Sequence, residues 1–308
     1  MRILEIFVVI PLKYNAYRID NLLSILLFGV SRTYCNKYIS IGLLLVNNKE
    51  CYFFSEKIFY RDVLLFYVYE NLCFFDKKVY FDITYKDKYI LIINKNKNFV
   101  MFPSKQYTIY DFFNSLTIIS IHFYLLPRFG LVHRLDKDTT GLFILAITLD
   151  SFYYLRSLFK LKKIKRIYEA VVVGNVSSSV FIDFPLKNFK CRTLPNLYGK
   201  DAFTFFEVLK SFKGYMYIRI SLFTGRKHQI RAHMNYEGHS IIGDKIYSSQ
   251  LLLDDFFLNN FPRQALHAKE LLFLHPNNKR IFHCFINLPY DINMLLYFLN
   301  KFYLNLLI

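Results

Sequence analysis

Cysteine is scarce in this sequence, and its distribution fits neither a disulfide framework nor a metal site. The five cysteines are scattered, odd in number and never form a C-x-x-C pair: Cys35, Cys51, Cys73, Cys191 and Cys284. Such a set does not support a zinc ribbon or a disulfide-rich fold. His228 and His233 are five residues apart, so they would not share a helical face as residues four apart do. We therefore expect free thiols, a reducing cytoplasm as the location, and no metal.

Long apolar runs are also missing, although 54% of the residues are hydrophobic. A transmembrane helix needs ~20 predominantly apolar residues in a row. The best candidate, Phe112–Leu126, contains five polar residues and is followed by Pro127 and Arg128, so we expect a buried amphipathic helix there. The apolar run at the amino terminus is short, is interrupted by Glu5 and lacks a small-residue cleavage site, which makes it a poor signal peptide. The sequence therefore predicts no association with a membrane.

Acidic residues are few relative to basic ones. The chain has 40 Lys and Arg against 23 Asp and Glu, a net charge of +17, which points to a polyanionic partner such as nucleic acid. An anionic membrane surface or a codon bias would give the same excess. Tryptophan is absent while Phe reaches 34 and Tyr 25, as an AT-rich genome would favour. The charge therefore corroborates nucleic-acid binding without establishing it.

The run VHRLDKDTTG, Val132–Gly141, is the most informative feature that is present. It places the carboxylate of Asp136 two positions after Arg134, just before an apolar run, Gly141–Thr148, that predicts a strand bounded by a turn. Taken alone, the same run could be a solvated surface loop.

Four further blocks follow in an order and spacing that match one family. They are RIYEAVVVG (Arg166–Gly174), GKDAFTFFEVL (Gly199–Leu209), FTGRKHQIRAHMNYEGHSIIGDKIY (Phe223–Tyr247) and ALHAKELLFLHP (Ala265–Pro276). With VHRLDKDTTG, they resemble the RluA/RluC/RluD family of RNA pseudouridine synthases over about residues 85 to 290. The resemblance implies an α+β fold, built on a mostly antiparallel mixed β-sheet.

The resemblance also implies the chemistry. Isomerising uridine to pseudouridine breaks the N1 glycosidic bond, turns the uracil, joins C1′ to C5 and removes the C5 proton. No redox change or external group takes part, so no cofactor is expected. By resemblance, Asp136 is the carboxylate that acts at C1′, Arg231 is its cationic partner, and Tyr168 packs on the uracil with its hydroxyl as a candidate proton acceptor.

Three basic residues are expected on the RNA side of the site, namely Arg134, Arg226 and Lys227. A uridine in structured RNA must be swung out of its stack, and a positive cleft helps to hold it there. Each of the three could instead clamp a phosphate or form an ion pair that only maintains the fold.

The amino-terminal segment, Arg18–Lys49, resembles an S4 RNA-binding domain. Its predicted elements are a helix capped by Asp20, a second helix over Thr33–Ile41, a strand over Leu43–Val46, a turn at Asn47 and Asn48, and a second strand over Cys51–Phe54. Its expected RNA contacts are Arg18, Arg32 and Lys37. A generic helical cap on the catalytic domain is the alternative.

These patterns predict an S4-like domain over residues 1–70, a linker over 71–84 and a catalytic domain over 85–308 whose first strand is Tyr89–Ile93. Two departures from the family pattern stand out. The expected Lys-Pro-x-Gly turn is replaced by Asn94–Asn98, which should be less rigid, and Leu186–Tyr198 matches poorly.

Two elements near the motifs are predicted from periodicity. Asp150 or Ser151 should begin a helix that runs to about Lys163. Tyr215–Phe223 alternates and predicts a half-buried strand, after which a turn at Thr224 and Gly225 should lead into a helix ended by Gly238.

The resulting hypothesis is a cytoplasmic, monomeric RNA pseudouridine synthase that acts on large-subunit ribosomal RNA. One alternative is a synthase for tRNA. Another is a catalytically silent RNA-binding or ribosome-assembly factor, against which the joint presence of Asp136, Tyr168 and Arg231 argues.

Overall fold

The computed structural model describes residues 3–26, 35–36, 39–40, 42, 44–69, 82–101, 126–248 and 256–303. The chain divides into two units. The first takes in the described residues up to 69 together with 126–131 and 146–152, and the second takes in 82–101, 132–145 and the described residues from 153 onward.

The first unit is built on a four-stranded antiparallel sheet with strand order β1-β6-β3-β4. Its elements are β1 (Ile3–Val9), β2 (Tyr17–Arg18), α1 (Ile19–Leu26), β3 (Leu44–Val46), β4 (Lys49–Glu50), β5 (Lys57–Ile58) and β6 (Val63–Tyr69), with 3-10 turns at Leu12–Tyr14 and Pro127–Gly130. Strands β2 and β5 form a separate pair. The buried core of this unit lies between α1 and the sheet and includes Ile19, Leu22, Leu23, Leu44 and Leu64.

The predicted amino-terminal hairpin is present, but its second strand lies earlier than expected. Asn47 and Asn48 both have positive φ, 51° and 64°, which is the conformation of a two-residue hairpin turn. Pairing therefore resumes at once, with Val46 opposite Lys49, and the strand prediction for Cys51–Phe54 is wrong. A tight turn leaves no room for a longer loop before the return strand.

The helix predictions for this unit need one correction. Helix α1 begins at Ile19, so Asp20 lies in its first turn instead of preceding it as a cap. Of the predicted helix Thr33–Ile41, residues 35–36 and 39–40 are helical, and the others, including Lys37, lie outside the described residues, as does Arg32. The predicted helix Phe112–Leu126 also lies outside them except for its last residue.

The second unit carries most of the regular structure. Its strands are β7 (Asp82–Lys86), β8 (Ile90–Lys95), β9 (Thr140–Ala146), β10 (Lys165–Val173), β11 (Val180–Ile182), β12 (Leu186–Phe189), β13 (Arg192–Pro195), β14 (Thr204–Phe212), β15 (Tyr215–Leu222), β16 (Leu266–Leu274) and β17 (Ile281–Phe285). Its helices are α2 (Leu149–Lys160), α3 (Gln229–Tyr236), α4 (Phe256–Asn259) and α5 (Tyr290–Phe302). The last residue of β9 and the first four residues of α2 are assigned to the first unit.

Within the described residues, nine of these strands form one sheet in the order β11-β14-β15-β10-β16-β9-β8-β7, with β17 beside β16. The pairs from β11 through β16 are antiparallel, and β16 and β9 are parallel, with His267 opposite Thr140. Strand β9 is buried along its whole length, as expected for an apolar strand covered on both faces. The sheet is mixed and mostly antiparallel, so the α+β prediction is confirmed for this unit.

Periodicity located individual elements well. In β15, Met216, Ile218, Ile220 and Leu222 share the buried face that the alternation predicted. Helix α2 ends at Lys160, before the predicted Lys163, because Lys162 takes up a left-handed conformation with φ 57°. Gly238, at φ 79°, follows the end of α3.

The start of the second unit differs from the prediction in two ways. Strand β7 begins at Asp82, so it precedes the strand that was expected to open the catalytic sheet and includes residues 82–84 of the predicted linker. Strand β8 continues through Lys95, and Asn98 supplies the positive φ of 68° where the family pattern has glycine. Asparagine tolerates this conformation better than most residues.

No helix within the described part of the chain is long and apolar enough to cross a membrane.

Candidate active site

The loop that enters β9 carries Asp136, whose side chain is 16% exposed. The backbone that follows Asp136 is held from outside the loop. Lys95 Nζ donates to the carbonyl of Lys137 at 2.7 Å, and Arg263 Nη1 donates to the carbonyl of Asp138 at 3.1 Å. These contacts fix the position from which the Asp136 carboxylate projects.

The residues before Asp136 are anchored by His133. The backbone N–H of Ile144 in β9 donates to His133 Nε2 at 2.8 Å, and the His133 ring lies 5.0 Å from that of Phe159 in α2. Accepting this bond requires a neutral imidazole. Burial, together with the charge of Arg166, lowers the pKa of His133 to about 3, so the ring stays neutral at physiological pH.

Arg231 connects Asp136 to a second carboxylate. It lies on α3, and its Nη1 donates to Asp136 Oδ2 at 3.2 Å. Its Nε and Nη2 donate to the two oxygens of Asp244 at 2.6 and 2.8 Å. Burial lowers the pKa of Arg231, but the hydrogen bonds and charge of Asp244, followed by those of Asp136, outweigh burial and raise it. The guanidinium is therefore a permanent cation held between two carboxylates.

Asp244 also organises the turn that follows it. Its Oδ1 accepts the backbone N–H groups of Ile246 and Tyr247 at 3.0 and 3.2 Å. The side chain of Asp244 is 0% exposed, so these bonds and the two from Arg231 satisfy a buried charge. The orientation of Arg231 is thus set by a rigid turn.

Tyr168 lies in the centre of the sheet, on β10, between Ile220 of β15 and Ala268 of β16. The β10–β16 register shifts between Ile167 and Tyr168, where Lys269 is an extra residue in β16, so the bulge lies in the strand opposite Tyr168. Burial raises the pKa of Tyr168, the Arg166 cation lowers it, and the Asp136 charge raises it, with a net increase. Tyr168 is therefore a neutral phenol at physiological pH.

The basic residues predicted on the RNA side have different surroundings. Arg134 is exposed. Arg226 Nε donates to the carbonyl of Asp201 at 2.9 Å, and Lys227 Nζ donates to the carbonyl of Lys190 at 3.3 Å. Both contacts are exposed and leave donors for phosphate. In the first unit, Arg18 forms an ion pair at 3.2 Å with the buried Asp20, so part of its role is structural.

The two histidines of HQIRAH are engaged with protein groups. His233 contacts Thr204 Oγ1 and the carbonyl of Phe184, each at 2.9 Å, and His228 Nδ1 lies 3.2 Å from the Tyr247 hydroxyl. Among the residues that the structure describes, no group of three or more His, Cys, Asp or Glu side chains is arranged to hold a metal ion.

Comparison with known proteins places this geometry in context. A sequence profile described as RNA pseudouridylate synthase matches residues 89–236, which contain Asp136, Tyr168 and Arg231. A Buchnera aphidicola (subsp. Baizongia pistaciae) protein named ribosomal large subunit pseudouridine synthase D is 34% identical over 97% of this chain and 98% of its own. The chain belongs to the RNA pseudouridylate synthase family. It is an RNA pseudouridine synthase, an isomerase.

Other relatives extend this result. A Pseudomonas aeruginosa protein with the same name is 37% identical over 63% of this chain and 64% of its own. A solved structure, human RNA pseudouridylate synthase domain containing 4, aligns with 71% of this chain and 93% of its own at a TM-score of 0.59 and 24% identity. That likeness shows a shared fold.

Several residues of the synthase that contact the site were not predicted from the sequence. Asp244 lies inside the Phe223–Tyr247 block, but nothing local marks it as a partner of Arg231. Lys95 was read as part of an irregular turn, yet it is 0% exposed. Burial lowers the pKa of Lys95 to about 7, although Asp138 and Asp136 act in the opposite direction.

Arg166 begins the block Arg166–Gly174 and was not predicted as a residue of the site. Its guanidinium is buried, and Nη2 donates to the carbonyls of Leu222 and Thr224 at 3.2 and 3.0 Å. Arg166 therefore ties β10, which carries Tyr168, to the segment that leads into α3. A signal was available in its position two residues before Tyr168, since side chains two apart in a strand share a face.

Proposed function

We propose that this synthase isomerises uridines in large-subunit ribosomal RNA, with Asp136 as the carboxylate that acts at C1′. The observation that carries the assignment is the pairing of Asp136 with an arginine that is itself fixed by a buried second carboxylate, Asp244. The choice of ribosomal RNA rests on the relatives named ribosomal large subunit pseudouridine synthase D, which align over almost the entire chain.

In this proposal, Arg231 orients the Asp136 carboxylate. A carboxylate that is to attack or stabilise C1′ must be anionic, and the Arg231 guanidinium lies 3.2 Å from it as a fixed positive charge. Because Arg231 also binds Asp244 through two nitrogens, it is held in place before RNA arrives. Pre-organisation of this kind avoids reorganisation during the reaction.

Tyr168 is proposed to pack on the uracil while the base turns. Stacking of a base on an aromatic ring contributes ~1 to 3 kcal/mol. The raised pKa of Tyr168 makes its phenolate costly, so the hydroxyl would accept the C5 proton only as a neutral phenol and is a weak base. The ring is therefore the part of Tyr168 that we expect to contribute most.

The remaining basic residues are proposed to hold the RNA. Arg134, Arg226 and Lys227 would contact the backbone around the extruded uridine, since phosphate contacts fix register without specifying sequence. The first unit is proposed to be an S4-like module that adds affinity. Two observations support this: it has a buried core of its own, and the matched family profile begins only at residue 89. That the chain acts as a monomer in the cytoplasm stays a prediction.

Mapping of pseudouridines in cells with and without this protein tests the substrate. We expect sites in large-subunit ribosomal RNA to disappear on deletion, to return with the wild-type gene and to stay absent with Asp136→Asn. Loss of sites confined to tRNA would favour the tRNA alternative. No lost site in either RNA would favour a catalytically silent RNA-binding factor.

A further inference from the structure

Tyr247 lies between Arg231 and the β12–β13 hairpin. Its ring packs on the Arg231 guanidinium, with the guanidinium carbon 5.2 Å from the ring centroid. Its hydroxyl accepts the backbone N–H of Thr193 at 2.8 Å and donates to the carbonyl of the same residue at 3.0 Å. One side chain thus contacts both the cation that holds Asp136 and the backbone of the hairpin.

The exposed side chains of the β12–β13 hairpin are of the types that bind RNA. Residues 184–200 contain four basic side chains and no acidic one. The exposed residues include Lys187, Phe189, Lys190, Arg192 and, just beyond β13, Tyr198, which is 90% exposed. Exposed cations interleaved with exposed aromatic rings suit a phosphate backbone and unstacked bases.

We propose that Tyr247 is a positioning residue that couples the hairpin, when RNA occupies it, to the alignment of Arg231 with Asp136. The proposal rests on the proposed roles of Asp136 and Arg231 and deepens them. It adds a route by which contact with RNA at the hairpin affects the rate of the chemical step.

Hydrogen bonds and the Tyr247 ring together restrict the movement of the Arg231 guanidinium. Its three nitrogens already donate to Asp136 and Asp244, so its plane is fixed at the edges. Tyr247 covers a face of that plane, and its backbone N–H is bound by Asp244. Cation–π packing of this kind is strongest where water is excluded.

The link to the hairpin runs through backbone atoms of Thr193. Thr193 is 0% exposed, and its own hydroxyl donates to Asn188 Oδ1 across the hairpin at 2.8 Å. A shift of the hairpin would therefore strain the two bonds to the Tyr247 hydroxyl. Only the backbone groups of Thr193 bind the Tyr247 hydroxyl, and its side chain binds Asn188 instead.

The test compares Tyr247→Phe with a matched control variant. Removing the hydroxyl should lower the single-turnover rate at saturating RNA by about tenfold, the scale of one net hydrogen bond, with RNA affinity nearly unchanged. Tyr236→Phe makes the same chemical change at an exposed tyrosine of α3 and should leave the rate unaltered.

A double-mutant cycle then measures the coupling. Replacing Lys190 and Arg192 by Gln should slow single turnover in the wild-type background and should have a much smaller effect in Tyr247→Phe. Fully additive effects, an unchanged rate in Tyr247→Phe, or a Tyr247→Phe protein that does not fold would each overturn the proposal. Asp136→Asn is assayed alongside: activity in that variant would overturn the proposed function, whereas an inactive Asp136→Asn with a fully active Tyr247→Phe would overturn only the coupling.

Discussion

Asp244 binds Arg231 through both of its carboxylate oxygens, at 2.6 and 2.8 Å, whereas Asp136 binds the same guanidinium through a single oxygen at 3.2 Å. The tighter contact is the one farther from the expected chemistry. This asymmetry leaves Asp136 Oδ1 outside the contact with Arg231, while Asp244 fixes the position of the cation.

Asp244→Asn should therefore impair both stability and rate. Losing one partner of a buried ion pair costs about 3–5 kcal/mol of unfolding free energy. A small displacement of Arg231 from its productive geometry should lower the single-turnover rate by roughly 100-fold. Urea unfolding and single-turnover assays measure the two effects.

Glu270→Gln is the matched control for that variant. Glu270 pairs with Arg219 elsewhere on the sheet, and both side chains are partly exposed. Losing this ion pair should lower the free energy of unfolding by under about 1 kcal/mol and leave the single-turnover rate unchanged. Equal rate losses in the two variants would show that a general weakening of the fold is responsible.

Asp136→Asn should abolish isomerisation while RNA binding stays nearly intact. The amide keeps the shape of the side chain but cannot serve as an anionic nucleophile or base. Quantifying pseudouridine in RNA incubated with the purified variant measures this. Product above background would remove Asp136 from the catalytic role.

Arg231→Met should reduce activity far more than RNA affinity, because it leaves Asp136 and Asp244 without their shared cation. Arg231→Lys should recover little of the lost activity, since one ammonium cannot bind two carboxylates with the geometry of a guanidinium. Single-turnover rates at saturating RNA separate chemistry from binding. A Met variant that loses affinity alone would make Arg231 a phosphate contact.

Lys95 should make stability depend on pH. Its folded-state pKa is lowered from 10.5 to about 7, so between these values the unfolded chain holds a proton that the folded chain lacks. The contribution of Lys95 to the free energy of unfolding should therefore rise with pH from about 7 toward 10.5, by up to about 1.4 kcal/mol per pH unit. Below pH 7 Lys95 is protonated in both states, so its titration should add no pH dependence to the free energy of unfolding there.

The comparison of Lys95→Met with wild type isolates that contribution. Urea unfolding between pH 6 and 9.5 should show the extra rise in wild type and not in Lys95→Met. Lys163→Met, a change at an exposed lysine, should follow wild type. Parallel curves for all three proteins would mean that Lys95 keeps an ordinary pKa.

Arg32→Gln combined with Lys37→Gln tests the proposed S4-like module. Neutralising two phosphate contacts should flatten the dependence of log binding constant on log salt concentration by about 1.4 to 1.8, and should leave single turnover at saturating RNA unchanged. Filter binding over a salt series provides the slope. An unchanged slope would argue that this unit does not bind RNA through these residues.

The sequence determined the elements whose pattern is local. Alternation placed β15 and its buried face, and the paired asparagines located the amino-terminal hairpin. The motifs, through their order, also identified the family and singled out Asp136, Tyr168 and Arg231. These inferences need only neighbouring residues or recognisable spacing.

Tertiary structure decided which distant residues meet. Lys95 contacts Lys137 across 42 positions, and Arg263 contacts Asp138 across 125. Such contacts depend on the order of strands in the sheet, in particular on the parallel pairing of β16 with β9, which brings Arg263 close to the loop of Asp136. A lysine in a polar run gives no local sign that it will be buried, and an aspartate gives none that it will bind an arginine 13 positions away. Both outcomes arise because the packed sheet removes these groups from water and requires each one to find a partner.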